Sequence, residues 1–231
     1  MIMKKIFIFL LPLFCITSLC CSQNVNATLQ KVKDKLNLVN DYEASGEMKT
    51  QVVFLKVPVA SVKIYYMKPD KLKIKNEKGI SFIPKGAVSI NINNVLTNNT
   101  FTALDAGITK VGNTNVRVIK LLPEDDNNDV VLSTLYVDES NFLIIKAKTT
   151  TRDNGTYDLE MTYGKYAAYG LPDKVIFTFN TKDYKIPKGV TFDYSEDQKK
   201  APDKTKARKG TIQITYKTYI INKGLSEALF K

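Results

Sequence analysis

Thr156-Tyr157-Asp158-Leu159-Glu160-Met161-Thr162-Tyr163 is apolar or aromatic at every odd position and polar at every even one. A period of two marks a strand with one face buried and the other in water. Antiparallel sheets leave that trace, whereas parallel strands covered on both faces read as unbroken apolar runs. Just before it, Asp153-Asn154-Gly155 is a strong hairpin signal leading back to a strand at Phe142–Thr151. Working outward, strands are expected at Asn115–Leu122, Val130–Asp138, Lys174–Asn180, Val190–Tyr194 and Thr211–Ile221, separated by turns at Pro123–Asp129 and Glu139-Ser140-Asn141. Val175, Phe177 and Phe179 share one face, as do Ile212, Ile214 and Tyr216. Ser195–Gly210 reads as a charged loop and Leu225–Phe230 as a terminal helical turn.

Toward the N-terminus the same period continues through Glu47–Lys56, a turn or edge at Pro58, and Val59–Met67, where Val62, Ile64 and Tyr66 alternate with Ser61, Lys63 and Tyr65. Lys68-Pro69-Asp70 is a tight turn. Lys71-Leu72-Lys73-Ile74-Lys75 follows, with Leu72 and Ile74 inward and an outward lysine stripe that discourages edge-to-edge aggregation. A turn at Glu77-Lys78-Gly79 precedes Ile80–Ile83, and Val88–Ile92 is a further strand candidate. Residues 93–106, rich in Asn and Thr, read as a loop with one or two helical turns.

Asn24–Ser45 has the other period. Leu29, Val32, Leu36, Val39 and Tyr42 form one apolar stripe, with Asn26 as N-cap and Gly46 just past the C-terminus. The expected class is mainly β (α+β): about ten or eleven meandering antiparallel strands with one amphipathic helix. A single helix cannot cover such a sheet. The sheet therefore closes on itself, or leaves a concave apolar face for a ligand.

With no histidine among 231 residues, Ser-His-Asp triads, Cys-His pairs and imidazole zinc sites are impossible. Carboxylates remain, but Glu124-Asp125-Asp126 and Glu196-Asp197 sit in polar loops and read as solvated turns. The run Glu124–Asp129 lacks the alternation and closing Glu of a calcium loop. No catalytic residue, no metal site and no cofactor is expected, and the chain is read as a non-enzyme.

Lys4-Lys5, the apolar run Ile6–Leu19 and the small residues after it form a secretory signal, too short to span a bilayer. Cleavage after Ser22 leaves one domain, 23–231. The alternative is lipidation at Cys20 or Cys21, although neither fits a lipobox well. All three cysteines fall in or beside the signal, so the exported domain has no disulfide. Losing Lys4 and Lys5 turns a net charge of +11 into +9. On an exported chain that charge points to anionic envelope surfaces rather than nucleic acid. The six basic residues Lys199, Lys200, Lys204, Lys206, Arg208 and Lys209 suit either a soluble loop or docking to lipid headgroups or an acidic partner.

The order of elements resembles one family. After the signal and the helix come Gly46-Glu47-Met48-Lys49, then Tyr65-Tyr66-Met67-Lys68-Pro69-Asp70-Lys71-Leu72, then Leu135-Tyr136-Val137-Asp138. Gly170-Leu171-Pro172-Asp173-Lys174-Val175-Ile176 and Gly210-Thr211-Ile212-Gln213-Ile214-Thr215-Tyr216 complete the series. This is similar to the LolA/LolB-like superfamily of bacterial envelope lipoprotein carriers, over most of residues 25–225. The resemblance implies a half-open barrel of about eleven strands, a helical lid and an apolar cavity for acyl chains. In that family an Arg before the turn proline bonds the lid; here the position is Lys68, a point charge without a planar fork. The family's Asp-Gly motif has only Asp105-Ala106-Gly107 as a counterpart.

The cavity is expected to be lined by Val62, Ile64, Tyr66, Leu72, Ile74, Tyr157, Leu159, Met161, Val175, Phe177, Ile212 and Ile214, with a plain packed core as the alternative. Lid contacts are expected from Lys68, Leu29, Val32 and Leu36, and the segment 93–106 joins the lid. The function that follows is a monomeric periplasmic carrier of lipoprotein acyl chains or free lipids toward the outer membrane, working with an inner- or outer-membrane partner. The alternative is a non-catalytic sensor or assembly module of the same fold.

Overall fold

In a computed structural model of the chain, residues 25–52, 55–56, 58–78, 96, 100–125, 128–153, 155–180 and 209–230 are described. The segment 1–22 expected as a signal, the three cysteines, the strands expected at 80–83, 88–92 and 190–194, and nearly all of the loop expected at 195–210 lie outside them.

Helix α1 (Val25–Leu36) precedes eleven strands among the described residues. These are β1 (Asp41–Val52), β2 (Leu55–Lys56), β3 (Ala60–Met67), β4 (Lys71–Lys78), β5 (Phe101–Val111), β6 (Thr114–Pro123), β7 (Val130–Asp138), β8 (Leu143–Thr151), β9 (Gly155–Thr162), β10 (Lys174–Asn180) and β11 (Lys209–Ile221). All belong to a single antiparallel sheet in the order β4-β3-β1-β11-β10-β9-β8-β7-β6-β5, with β2 pairing only β1. Strands β5 to β11 are a meander, each paired to the next in sequence. The N-terminal strands join it by the long β1–β11 ladder from Tyr42↔Ile221 to Gln51↔Thr211. Among the described residues no pairing joins the edges β4 and β5, so the sheet is a half-open barrel. The lysine stripe Lys71, Lys73 and Lys75 lies on edge strand β4.

Alternation determines which side chains face the hollow. One row crosses eight strands in register: Thr50, Ile212, Phe177, Leu159, Ala147, Leu135, Ile119 and Asp105. All but Asp105 are buried. Each large apolar side chain fully buried there stabilises the fold by about 1.5–3 kcal/mol. Gly46 sits at a β1–β11 irregularity, where a Cβ would lie 2.6 Å from the Thr215 carbonyl oxygen. The bare backbone allows that approach.

Several expectations are corrected. The helix ends at Leu36, not Ser45, Asn26 lies inside it rather than capping it, and β1 begins at Asp41, not Glu47. Asn37 N–H donates to Lys33 O (2.8 Å), and the next two bonds tighten to the three-residue spacing. Tyr42 then pairs across to Ile221 and Tyr66. It satisfies a helical stripe and a strand equally, and the sheet's hydrogen bonds decide for the strand. Phe101–Ala106 are the first residues of β5 rather than a loop or lid, because β6 offers them a partner from Pro123 to Ile119. Glu77 and Lys78 continue β4 instead of turning. Tyr65, on the outward parity, is nonetheless buried, with Lys75 Nζ 5.5 Å from its ring centroid.

Candidate functional site

Helix α1 lies over the hollow and leaves a cavity of about 180 Å³ beneath it. Val32 and Leu36 of α1 form its roof, with Phe142 and Leu171 beside them. Met48, Ile64, Leu159, Phe177, Ile212 and Ile214 form the floor, and Leu72, Ile74, Met161 and Val175 extend the wall. One water needs only about 10–15 Å³ by this kind of measure, and an apolar cavity of about 150 Å³ takes a benzene-sized molecule. The space is large enough for a benzene-sized apolar group.

Nine of the twelve residues expected to line a cavity do so: Ile64, Leu72, Ile74, Leu159, Met161, Val175, Phe177, Ile212 and Ile214. Val62, Tyr66 and Tyr157 do not; they pack into the solid core, where Val62 and Tyr66 are fully buried and Tyr157 stacks on Phe177. Of the expected lid contacts, Val32 and Leu36 front the cavity, while Leu29 is buried in the core beside them. Lys68 does reach the helix. Its Nζ donates to the Asn37 carbonyl (2.8 Å) and to Asn40 Oδ1 (3.3 Å), holding the turn that ends α1. Partial burial lowers its pKa from the ordinary lysine value.

Sequence reasoning missed Tyr42, Tyr163 and Tyr216, which also front the cavity. Tyr163 and Tyr216 already lay on inward parity; Tyr42 was hidden by the helical stripe. The Tyr163 hydroxyl donates to Ile144 O at 2.9 Å, and that of Tyr42 hydrogen-bonds Tyr216. Burial pushes the Tyr216 phenol up to about 12 and raises Tyr42 and Tyr163 as well, so all three are neutral at physiological pH. Among the described residues Lys35 is the one charged residue in the lining.

Two polar anchors hold the helix. At its C-terminal end, Asn222, in the left-handed region that asparagine tolerates, accepts from Asn40 N–H (2.7 Å) and donates to Leu38 O (2.8 Å). The Asp41 carboxylate accepts from the N–H groups of Lys223 and Gly224. Nearer the N-terminus, Thr28 Oγ1 donates to Glu139 Oε1 at 2.9 Å. That carboxylate also takes Arg117 Nε at 2.7 Å, and Arg117 Nη1 reaches Asp105 Oδ2 at 2.7 Å. Glu139 in first place, then Asp105, holds the Arg117 charge more firmly than usual. Nothing in the local sequence marks this cluster: its members come from α1, β5, β6 and the β7–β8 turn. Among the described residues no group of three or more His, Cys, Asp or Glu is placed to hold a metal ion. Asp126, Asn127, Glu196 and Asp197 lie outside them.

No family model and no curated protein matches the sequence. Solved structures match over nearly the whole chain. A protein domain named for outer membrane lipoprotein sorting, from Vibrio parahaemolyticus, superposes with a TM-score of 0.56 at 11% identity, over 90% of this chain and 97% of that one. A DUF1329 family protein from Desulfovibrio piger gives 0.56 at 13% identity, and a LolA superfamily protein from Nitrosomonas europaea 0.54 at 11%, each with the same coverage. The chain shares its fold with these three structures.

Proposed function

We propose that this chain is a periplasmic carrier that shields acyl chains of lipoproteins or free lipids on their way to the outer membrane. The observation that carries this reading is the apolar cavity of about 180 Å³ between one amphipathic helix and the concave sheet face. The names of two fold relatives, lipoprotein sorting and LolA superfamily, support the same class of cargo.

By comparison with the benzene-sized cavity, the closed space holds on the order of six to eight carbons. A longer chain requires the roof to move. The geometry supports a swing of α1 about residues 37–40, which Lys68 and Asn222 pin to the sheet. The Thr28–Glu139 bond on the free side has to break. Lipid entry then exchanges contacts of Val32 and Leu36 with the floor for contacts with methylenes, each worth about 0.8 kcal/mol when buried. The helix contacts that are lost offset part of that gain, which keeps binding reversible. No covalent step is needed. In this reading residues 1–22 direct export, and the basic loop 195–210 docks the carrier at anionic membrane surfaces.

Native mass spectrometry of the protein extracted from its own envelope tests the proposal. Bound lipid or lipoprotein is expected. Apo protein alone, together with no uptake of a fluorescent acyl lipid, would overturn it.

A further inference from the structure

We infer that the cavity takes a single acyl chain bearing an anionic carboxylate head, and that Lys35 at its mouth selects that head. The inference rests on the carrier reading and names its ligand class. Among the described residues Lys35 is the one cation in the lining, and none of them there is acidic. Its stem lies across Gly170, where an added Cβ would meet Lys35 Cγ at 3.3 Å, and its Nζ donates to the Asn141 carbonyl. The lysine thus spans from α1 to the turn between β7 and β8, over the gap between Leu36, Leu171 and Phe142.

A second cation stands one turn earlier on the same helix: Lys31 Nζ lies 4.6 Å from the centroid of the Phe142 ring, which itself fronts the cavity. The acidic side chains of that turn are committed elsewhere. Asp138 accepts from Ser140 N–H and Asn141 Nδ2, and Glu139 from Arg117 and Thr28. Lys31 and Lys35 therefore stand side by side above a lining that, among the described residues, holds no carboxylate. In the closed form Lys35 donates to a neutral carbonyl. A ligand carboxylate replaces that carbonyl with a full opposite charge, adding an ion pair to the hydrogen bond. The tail then runs past Leu36 and Leu171 to Met48 and Ile212. The phenols of Tyr42, Tyr163 and Tyr216 carry no negative charge that would repel the carboxylate or compete with it for Lys35, since burial keeps them neutral.

Calorimetric titration of the exported chain with octanoate, hexanoate and 1-octanol reads this directly. Octanoate should bind about tenfold more tightly than octanol, the scale of one hydrogen bond to a charged group. It should exceed hexanoate by about fifteenfold, or fourfold for each buried methylene. K35Q should bring octanoate down to the level of octanol, while K110Q, on edge strand β5, should leave all three unchanged. Octanol binding as tightly as octanoate, or K35Q without effect, overturns the assignment of the head but leaves acyl carriage standing. Equal binding of hexanoate and octanoate overturns it as surface ion pairing. Binding of none of the three also overturns it, and the lipid found with the native protein then decides the carrier reading separately.

Discussion

Replacing Glu139 with Ala tests whether the Arg117 cluster secures the helix. The Arg117 side chain is 9% exposed, against 19% for Glu139 and 37% for Asp105. Arg117 cannot shed its charge, so losing Glu139 takes from a buried cation the better buried of the two carboxylates that pair with it. Breaking a fully buried pair costs about 3–5 kcal/mol. The surviving bond to Asp105 reduces this to about 2–3 kcal/mol on the same scale. Arg117→Met reverses the exposure: two carboxylates that water can reach remain, and an apolar chain fills the site, so the cost is about 1 kcal/mol or less. The double variant should then be no less stable than Glu139→Ala alone. Urea unfolding with an unchanged m-value measures all three. Because Thr28 binds the same carboxylate, amides 29–36 of α1 should exchange about 10- to 30-fold faster in Glu139→Ala, the equivalent of 1.5–2 kcal/mol. If Arg117→Met proved the more damaging, or α1 exchanged at its original rate in Glu139→Ala, the cluster would not be a latch.

Gly46→Ala forces a Cβ to within 2.6 Å of the Thr215 carbonyl oxygen, so β1 and β11 must separate; a loss of about 1–3 kcal/mol is expected by urea unfolding. Alkaline pH should destabilise the fold. Tyr216 ionises near 12 when folded and near 10 when unfolded, so its contribution is fully present below about pH 10 and is lost as pH rises toward 12, at up to about 1.4 kcal/mol per pH unit. Tyr42 shifts in the same direction, and midpoints of urea unfolding between pH 9 and 12 measure the slope. Met161→Trp puts bulk into the cavity and should reduce uptake of a fluorescent acyl lipid more than tenfold with little change in stability. Leu135→Ala, buried at 1% exposure outside the cavity lining, should do the opposite, costing about 2–5 kcal/mol and leaving uptake by the folded fraction intact.

Most of the sheet was legible because its strands have one wet and one dry face. Val130–Asp138 and Lys174–Asn180 are found with the bounds that alternation implied, and the floor of the cavity lies on the inward parity of β3, β9, β10 and β11. Alternation cannot separate a side chain that fronts a void from its neighbour two residues along. Phe177 fronts the cavity while Tyr157, equally inward, stacks on it within solid core. The end of the helix was illegible for a different reason: Val39 and Tyr42 satisfy both periods, so the local pattern is degenerate there. Residues 93–106 have, taken together, the composition of a loop, and only β6 beside Phe101–Asp105 makes that part a strand.

The sequence by itself determined the meander, the polarity of each strand and the exclusion of imidazole chemistry, because those depend on composition and on periods a few residues long. Tertiary structure alone decided that β1 closes onto β11, some 170 positions away, and so curls the sheet into a hollow. It also decided that Thr28, Asp105, Arg117 and Glu139 meet in one cluster and that Lys35 spans the mouth. Those contacts join residues from separate elements, and no short window of sequence contains both partners.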